Sequence, residues 1–480
     1  MDEILCDELL QEIFRRLPSS STPSSSLSVS LVSKRWLNLY RSSKASLSLK
    51  FLPHDTSMIV PLSSLLSNYP SLSSLSLVLS DSTNKSTTSL FDHLLFVVSS
   101  CCSNLNHLKF LTGPVSVPSL LSLSKSCSHL TSITISLPRP LSLTWVVSFS
   151  CLKDLSLHVC SIDHTDGHDD DEVRKFGLCS NEELEAEFGL ENLCLSGIQT
   201  DDKGVGWLWR NCKRLKKLQL KSCQSVGDAE SFSSFISTLK GLEEVELRKC
   251  RSIVDGVLLK LAQNCSSLIS LLVYDGGSKE GLLEFITTCT CNLQKLDLRL
   301  PLDLSNDHLL AVALNQRNLS TLRLQSCFLV TGEGLKTLGI ALGSTLEELA
   351  LIKCDVVERE IGLLATLGQN LRMLRKLNLS YNEMLFDKEF VSMLVSCNNL
   401  TELKLRGCRR LTAMALVSIS KTCKLLESVD IMNCPGIEAA AVEFLVLNCP
   451  KLRQVQVEDS KVSDIARKWA LHKVIEVTEN

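Results

Sequence analysis

Hydrophobic residues recur along most of this 480-residue chain in one phrase, Leu-x-x-Leu-x-Leu-x-x-Cys, in full or relaxed form. Regular copies begin at Leu190, Leu215, Leu242, Leu268, Leu293, Leu319, Leu346, Leu374, Leu400, Leu426 and Leu452. Successive copies start 25 to 28 residues apart ten times in a row. The Leu-x-Leu step has a period of two, which places both leucines on one face of a short strand. The rest of each copy, such as residues 257–262, has helical spacing, so the pattern predicts strand–helix repeats.

Most of the 21 cysteines fall at two fixed places in the repeat. One group follows the strand: Cys160, Cys223, Cys250, Cys327, Cys354, Cys408 and Cys434. The other group lies three residues before the first leucine of the next copy: Cys102, Cys127, Cys212, Cys265, Cys397, Cys423 and Cys449. A zinc site needs paired ligands at close spacing, and the sequence contains no Cys-x-x-Cys. Small, weakly polar thiols suit tight turns between packed coils, so we interpret these residues as structural thiols.

The pattern resembles the cysteine-containing leucine-rich repeats, over residues 45–458. The resemblance implies an α/β solenoid, a horseshoe of about 15 units. Residues 45–189 are irregular and contain an acidic insert at 158–189, whereas 190–458 are regular. Residues 459–480 are predicted to form a C-terminal cap. Ser463 would start its helix, and Ile465 and Trp469 would cover the last open edge.

The first forty residues predict two short amphipathic helices. Six apolar residues form one stripe on the first: Leu5, Leu9, Leu10, Ile13, Phe14 and Leu17. Pro18 ends that helix, and a serine-rich link leads to a second, along which Val29, Val32 and Trp36 are spaced. Two helices of this length cannot bury so much apolar surface against each other alone. The helices therefore either enter the groove of a partner or cap the repeats.

The same residues resemble an F-box, over residues 1–44. The resemblance rests on the stripe from Leu5 to Leu17, followed by Val29-Ser-x-Val32-x-Lys34-Arg35-Trp36. An F-box implies binding to a Skp-type adaptor and, through it, to a cullin scaffold, in a ubiquitin ligase whose substrate is held by the C-terminal domain. The implied adaptor-binding residues are Leu5, Leu9, Leu10, Ile13, Phe14, Leu17, Val32 and Trp36. Cys6 stands where the family commonly has Pro, and the serine link is longer than usual. The whole arrangement resembles the leucine-rich F-box proteins, and the cysteine-rich repeats resemble the plant members.

Strand residues beside the leucines are expected to face solvent and to bind the protein substrate. The best candidates are Arg248, Leu272, Tyr274 and Arg299, because aromatic and arginine side chains dominate interface hot spots. A second, apolar stretch is predicted from Ala350, Ile352 and Met432. Some relatives hold a small molecule or an inositol phosphate, but acids alternate with bases along this face, so we expect no cofactor.

The net charge, the N-terminal residues and the absence of known catalytic motifs argue against several other classes of protein. The formal net charge is −3, which gives no reason to expect nucleic-acid binding. The N-terminus lacks the basic start of a secretory signal, and no long apolar stretch indicates a membrane span, so we expect the nucleus or the cytoplasm. Known catalytic motifs are absent from the sequence, so we expect a non-catalytic protein. His164 and His168 in the acidic insert leave a metal site conceivable, although we expect none. Two hypotheses remain open: a substrate receptor of a ubiquitin ligase, and a repeat scaffold without ligase function.

Overall fold

The computed structural model describes residues 5–16, 29, 31–51, 59–79, 88–160, 189–202, 204–227, 229–473 and 475–478. The chain divides into two compact units, Met1–Thr238 and Leu239–Asn480. Both are built from alternating strands and helices, so the predicted fold class, an α/β solenoid, is confirmed within each unit. None of the described helices combines the length and apolar character that a bilayer crossing requires.

The first unit begins with two helices, α1 (Asp7–Arg16) and α2 (Lys34–Ser43). Its strands are β1 (Ser46–Phe51), β2 (Ser74–Leu79), β3 (His107–Pro114), β4 (Ser132–Pro138), β5 (Asp154–Cys160), β6 (Asn192–Ser196) and β7 (Lys217–Lys221). Its other helices are α3 (Ile59–Leu66), α4 (Thr88–Cys101), α5 (Val117–Ser126), α6 (Gly204–Asn211) and α7 (Ala229–Thr238), with a 3₁₀ turn at Thr144–Ser148. The strands pair in parallel in chain order.

The second unit continues the same alternation after a short 3₁₀ turn, Leu239–Gly241. Its strands are β8 (Glu244–Arg248), β9 (Ser270–Gly276), β10 (Lys295–Pro301), β11 (Thr321–Gln325), β12 (Glu348–Ile352), β13 (Lys376–Asn378), β14 (Glu402–Lys404), β15 (Ser428–Asp430), β16 (Gln454–Gln456) and β17 (Glu476–Thr478). Its helices are α8 (Val254–Asn264), α9 (Lys279–Thr288), α10 (Asn306–Asn315), α11 (Gly332–Ala341), α12 (Val356–Arg359), α13 (Leu363–Asn370), α14 (Asp387–Leu394), α15 (Ala413–Thr422), α16 (Ala439–Asn448) and α17 (Asp464–Lys473). These strands are also parallel and paired in chain order.

The core of each unit consists of the repeated leucines, stacked in register. Leu322 of β11 lies beside Leu349 of β12, which lies beside Leu377 of β13. All three side chains are buried. Each fully buried leucine contributes about 1.5–3 kcal/mol relative to exposure, so the period-two leucines fix both the face and the register of each strand.

The turns after β6 to β15 share one backbone geometry. A left-handed backbone occurs at the same repeat position in Gly197, Ser222, Lys249, Asp275, Leu300, Ser326, Lys353, Tyr381, Gly407 and Asn433. The next position usually carries the strand-end cysteine, whose thiol points back at the preceding repeat. Sγ of Cys408 donates to the carbonyl oxygen of Leu379 at 3.2 Å, and Sγ of Cys434 donates to that of Leu405 at 3.1 Å. The described cysteines are free thiols and most are buried, in agreement with the structural role that their spacing predicts.

Asn382 occupies the cysteine position in one repeat and makes three buried hydrogen bonds. Its Nδ2 donates to the carbonyl oxygens of Leu351 and Leu379, both at 2.8 Å. Its Oδ1 accepts from the backbone N–H of Cys354 at 2.9 Å. One amide therefore satisfies polar backbone groups of two successive repeats.

The C-terminal cap differs in part from its prediction. Ser463 does begin the last helix, since its hydroxyl accepts from the N–H of Ala466 at 3.1 Å. The prediction that Ile465 and Trp469 cover the open edge is wrong, because both side chains are largely exposed. Ala466 and Ala470 are the buried residues of α17, since small side chains let a helix approach its neighbour closely. The chain then adds β17, which pairs with β16.

Replacing Asn382 by Ala should destabilise the second unit. The change leaves the carbonyl group of Leu351 and the N–H of Cys354 buried without partners and removes one of the two donors from the carbonyl group of Leu379, so we expect a loss of about 3 kcal/mol. Asn448→Ala is the matched control, because its exposed amide bonds only within its own helix, and it should cost less than about 0.5 kcal/mol. Urea unfolding followed by circular dichroism measures both. Equal, small losses in the two variants would contradict the account of the turn.

Thiol labelling should separate the buried cysteines from the exposed ones. Burial raises the pKa of Cys212 to about 12 and that of Cys434 to about 11, so at pH 8 these groups carry almost no thiolate. Cys6 and Cys151 are exposed. In native protein treated with iodoacetamide, mass spectrometry should find Cys6 and Cys151 alkylated first, with Cys212 and Cys434 reacting only after denaturation. Native labelling of Cys212 as fast as Cys6 would contradict this.

Candidate protein-binding sites

The two N-terminal helices form a pair with its own aromatic core. Leu10 and Phe14 of α1 are buried. The Phe14 ring meets the Trp36 ring edge-on at 5.4 Å between centroids, and the Tyr40 ring at 5.9 Å. The pair thus does bury part of the apolar stripe, and this packing sets which side of α1 remains outside.

Arg35 ties the start of α1 to α2. Its Nη2 lies 2.6 Å from Oδ1 of Asp7 and donates to the carbonyl oxygen of Leu5 at 2.9 Å. Cys6 is exposed between these two anchor points. Long-range hydrogen bonds from Arg35 therefore hold the start of α1 against α2.

Seven of the eight residues of the predicted adaptor-binding set are described, and they divide into three groups. Leu9, Ile13 and Val32 are exposed, at 54%, 46% and 57%. Leu5 and Trp36 are half-buried, and Leu10 and Phe14 face inward. Leu17 lies outside the described residues.

The predicted second helix, along Val29, Val32 and Trp36, is not continuous. Val29 is helical, but residues 31–32 form a turn, and α2 begins at Lys34, because the Ser33 hydroxyl caps it by accepting from the N–H of Trp36 at 3.2 Å. This turn brings out Leu31, which is 82% exposed. The spacing of Val29, Val32 and Trp36 predicts one continuous helix, so the exposure of Leu31 in a turn could not be predicted from it. We name Leu9, Ile13, Leu31 and Val32 the exposed apolar set.

In the second unit, three of the predicted substrate-binding residues share one row. Arg248 of β8 lies in register with Tyr274 of β9, which lies in register with Arg299 of β10. They belong to the open face, the strand positions that alternate with the buried leucines of β8–β16. The structure thus brings the half-buried Tyr274 between two arginines, as the sequence predicts.

Each arginine of this row is paired with a carboxylate of its own strand. Arg248 donates from Nη2 to Glu246 at 2.8 Å. Arg299 forms a two-pronged pair with Asp297, at 2.9 and 2.6 Å. This hydrogen bonding to Asp297 is the largest influence that raises the pKa of the Arg299 guanidinium. A polyanion would have to compete with these carboxylates, so the row suits a protein surface of mixed charge better than a polyphosphate.

The expected exposure of four open-face residues is wrong. Leu272, Ala350, Ile352 and Met432 are all buried. Ala350 lies in register between Arg323 and Asn378, and Leu272 lies between Glu246 and Asp297. Adjacent strands are only about 4.8 Å apart, so longer neighbouring side chains cover a shorter one.

A feature that the sequence analysis missed lies in the first unit. A cavity of about 270 Å³ opens over β4–β7, above Thr134, Ser156 and Cys194. These small residues occupy the position between the leucines, which is the signal that could have located it. In the next row, burial, followed by the charges of Lys221 and Lys109, lowers the pKa of His158.

Metal ligands do not gather in the described part of the chain. There, no group of three or more His, Cys, Asp or Glu side chains is placed to hold an ion. His164 and His168, which the sequence left as a conceivable site, lie outside the described residues.

No family model matches the chain. Among solved structures, the chain is similar to the yeast complex of Rad7 and Elc1, with 15% identity, a TM-score of 0.46, and coverage of 99% of this chain and 93% of that one. It is also similar to an internalin, inlF, from Listeria monocytogenes str. 4b F2365, with 14% identity, a TM-score of 0.32, and coverage of 88% and 93%.

Proposed function

We propose that this protein is the substrate-recognition subunit of a Skp–cullin–F-box ubiquitin ligase. The helical pair α1–α2 binds a Skp-type adaptor and, through it, a cullin scaffold. The open face of the repeats binds the protein that is to be ubiquitinated. The chain holds its partners without catalysing a reaction itself. The observation that carries this proposal is the exposed apolar set on α1–α2.

The exposed apolar set is the kind of surface that a partner groove covers. The aromatic core under Phe14 already stabilises the pair, so Leu9, Ile13, Leu31 and Val32 are not needed to close it. Leu9 and Ile13 are four residues apart, which places them one turn apart on one side of α1. An amphipathic helix that offers such anchors binds in the helix-in-groove manner. Leu9, Ile13 and Val32 are among the residues that resemble an F-box, which supports a Skp-type adaptor as the partner.

The open face supports the second half of the proposal. The parallel ladder fixes Arg248, Tyr274 and Arg299 side by side on three strands. Their pairing with Glu246 and Asp297 restricts the arginine side chains before any partner arrives, which reduces the entropy lost on binding. A pre-organised aromatic residue between two arginines is a good centre for a protein interface.

A repeat scaffold without ligase function is the alternative, and one contact favours it. Nη1 of Arg41 in α2 donates to Oδ1 of Asn68, which follows α3 of the first repeat, at 3.4 Å. The helical pair therefore also covers the start of the array, as a cap would. A cap needs no exposed apolar set on its far side, which is why we favour the adaptor.

Placing charges in the exposed apolar set should abolish adaptor capture. In a double variant, Leu9→Asp with Ile13→Asp, we expect binding to a purified Skp-type adaptor to weaken at least about tenfold, since two apolar anchors are lost. The thermal unfolding midpoint should stay unchanged, because both side chains are exposed in the free protein.

Leu314→Asp, on the exposed side of α10, is the matched control and should bind like the wild type. Pull-down and calorimetry measure the capture. If the double variant still captures the adaptor, the assignment of α1 fails. If the wild type does not capture it, the scaffold alternative holds.

A further inference from the structure

A row of short side chains forms the floor of the cavity that opens over β4–β7 in the first unit. Thr134, Ser156 and Cys194 lie in register on three neighbouring strands, between Lys109 of β3 and Gln219 of β7. Adjacent strands are about 4.8 Å apart, so the three short residues leave a depression between two long ones. The cavity measures about 270 Å³, and every residue that lines it belongs to the first unit. We name it the β4–β7 cavity.

The size of the β4–β7 cavity suits one side chain better than a free small molecule. Cavities that hold a drug-sized ligand measure roughly 300–1,000 Å³ and bury most of the ligand's surface. This cavity is smaller, at about 270 Å³, and it opens on the exposed side of a sheet. It would therefore leave much of a free ligand in water, whereas it fits a large side chain that projects from another protein.

The floor of the β4–β7 cavity is flat and weakly polar. Ile133, Leu155 and Leu193 line it through their backbone, because their side chains are buried on the other side of the strands. The peptide groups there are already hydrogen-bonded in the parallel ladder. Thr134 adds a methyl group, and the thiol of Cys194 is only weakly polar. A flat floor of this kind suits a planar aromatic ring.

Hydrogen-bonding groups at the cavity select an occupant that carries a donor. Nδ2 of Asn192 donates to Oδ1 of Asp154, and both residues line the cavity. A carboxylate has two acceptor oxygens with about four lone pairs, so Asp154 has room for another donor. The hydroxyl groups of Thr134 and Ser156 hydrogen-bond to no other described residue. A purely apolar occupant would bury these groups without partners, which costs free energy.

The charges around the cavity disfavour an ionised occupant of either sign. Lys217 lines the cavity, and Lys109 and Lys221 lie beside it on β3 and β7. These three ammonium groups oppose a Lys or Arg side chain. An Asp or Glu side chain would instead lie against Asp154, and the sequence that joins β5 to β6 is itself strongly acidic. A neutral donor avoids both conflicts.

Tyrosine and tryptophan side chains combine these properties, since each is large, planar and neutral, with a donor at the edge of an apolar ring. We propose that the β4–β7 cavity binds one tyrosine or tryptophan side chain of a partner protein. The ring would lie on the floor between Thr134 and Cys194, and its O–H or N–H would donate to Asp154. This inference rests on the proposed function, in that the partner would be the substrate that the ligase recognises.

Another molecule has to supply the aromatic side chain. All five tryptophans and all four tyrosines lie within the described part of the chain, and none of them lines the cavity. The acidic insert that joins β5 to β6 contains Phe176 and Phe188 but neither Tyr nor Trp. The segments outside the described residues therefore cannot provide a ring that carries a donor.

The test uses the full-length chain and a displayed library of random 12-residue peptides as the probe. Peptides enriched on the wild type should share a Tyr or Trp. A fluorescein-labelled synthetic copy of the most enriched peptide then gives Kd by fluorescence anisotropy. We expect Ser156→Phe to raise Kd at least about tenfold, because the new ring occupies the cavity.

A double-mutant cycle tests the hydrogen bond to Asp154. The peptide's Tyr is replaced by Phe, or its Trp by naphthylalanine, so that only the donor is lost. On the wild type this change should raise Kd about tenfold, since a hydrogen bond to a charged group is lost. On Asp154→Ala it should leave Kd unchanged, because the acceptor is already absent. This split separates a direct contact from a merely structural role of Asp154.

The matched control is Ser48→Phe, which changes an exposed serine of β1 in the same row as Thr134 and three strands away. It should leave Kd unchanged. Thermal unfolding checks that each variant is folded, and the double-mutant cycle keeps the test decisive if Ser156→Phe proves unstable.

Several results would overturn the proposal. The library could yield no enrichment or peptides without Tyr and Trp, Ser156→Phe could bind like the wild type, or the losses in the cycle could be additive. Free p-cresol or indole could bind as tightly as the peptide, which would make a small molecule the occupant. Sedimentation velocity could show self-association that Ser156→Phe abolishes, in which case the exposed Tyr381 or Trp469 of a second copy is the occupant.

Adaptor capture separates this inference from the proposed function. Ser156→Phe should capture the Skp-type adaptor as the wild type does. Capture without peptide binding rejects the cavity assignment alone, whereas peptide binding without capture rejects the ligase assignment and leaves the cavity site in place.

Discussion

The array depends on buried carbonyl groups at several strand ends that accept a hydrogen bond from the next repeat. The next repeat supplies the partner, a thiol in Cys408 and Cys434 and an amide in Asn382. Buried backbone groups without partners are costly, so each repeat is complete only when its neighbour is folded. This coupling, added to the stacked leucines, makes the ladder stiff, and a stiff ladder can hold Arg248, Tyr274 and Arg299 in register.

The candidate binding surfaces, on α1–α2 and on the open face of β8–β16, are formed by different kinds of packing. On α1–α2, a small aromatic core fixes two helices and leaves Leu9, Ile13, Leu31 and Val32 outside. In the second unit, residues from successive repeats are brought into one row by strand register, and no single repeat contains a complete site. A helical pair suits one recurring partner with a groove, whereas a row of varied residues suits recognition of one particular protein. That division of tasks is what a substrate-recognition subunit requires.

Much of the fold could be predicted from the sequence, because the buried leucines recur with a fixed period. Contacts between helices and strands follow no period, so they could not be predicted in this way. The stripe from Leu5 to Leu17 predicts a helix, yet which side meets α2 depends on Trp36 and Tyr40. Ala350 was expected in solvent, but its longer neighbours cover it. The alanines of α17 close the array where larger residues were expected.

The central claim is that α1–α2 is the surface that enters the ligase. Hydrogen–deuterium exchange on the full-length chain, with and without a purified Skp-type adaptor, tests it most directly. The account predicts new protection in residues 5–16 and 31–43, with the strands of the second unit unchanged. Protection confined to β8–β16, or no change anywhere at saturating adaptor, would contradict it.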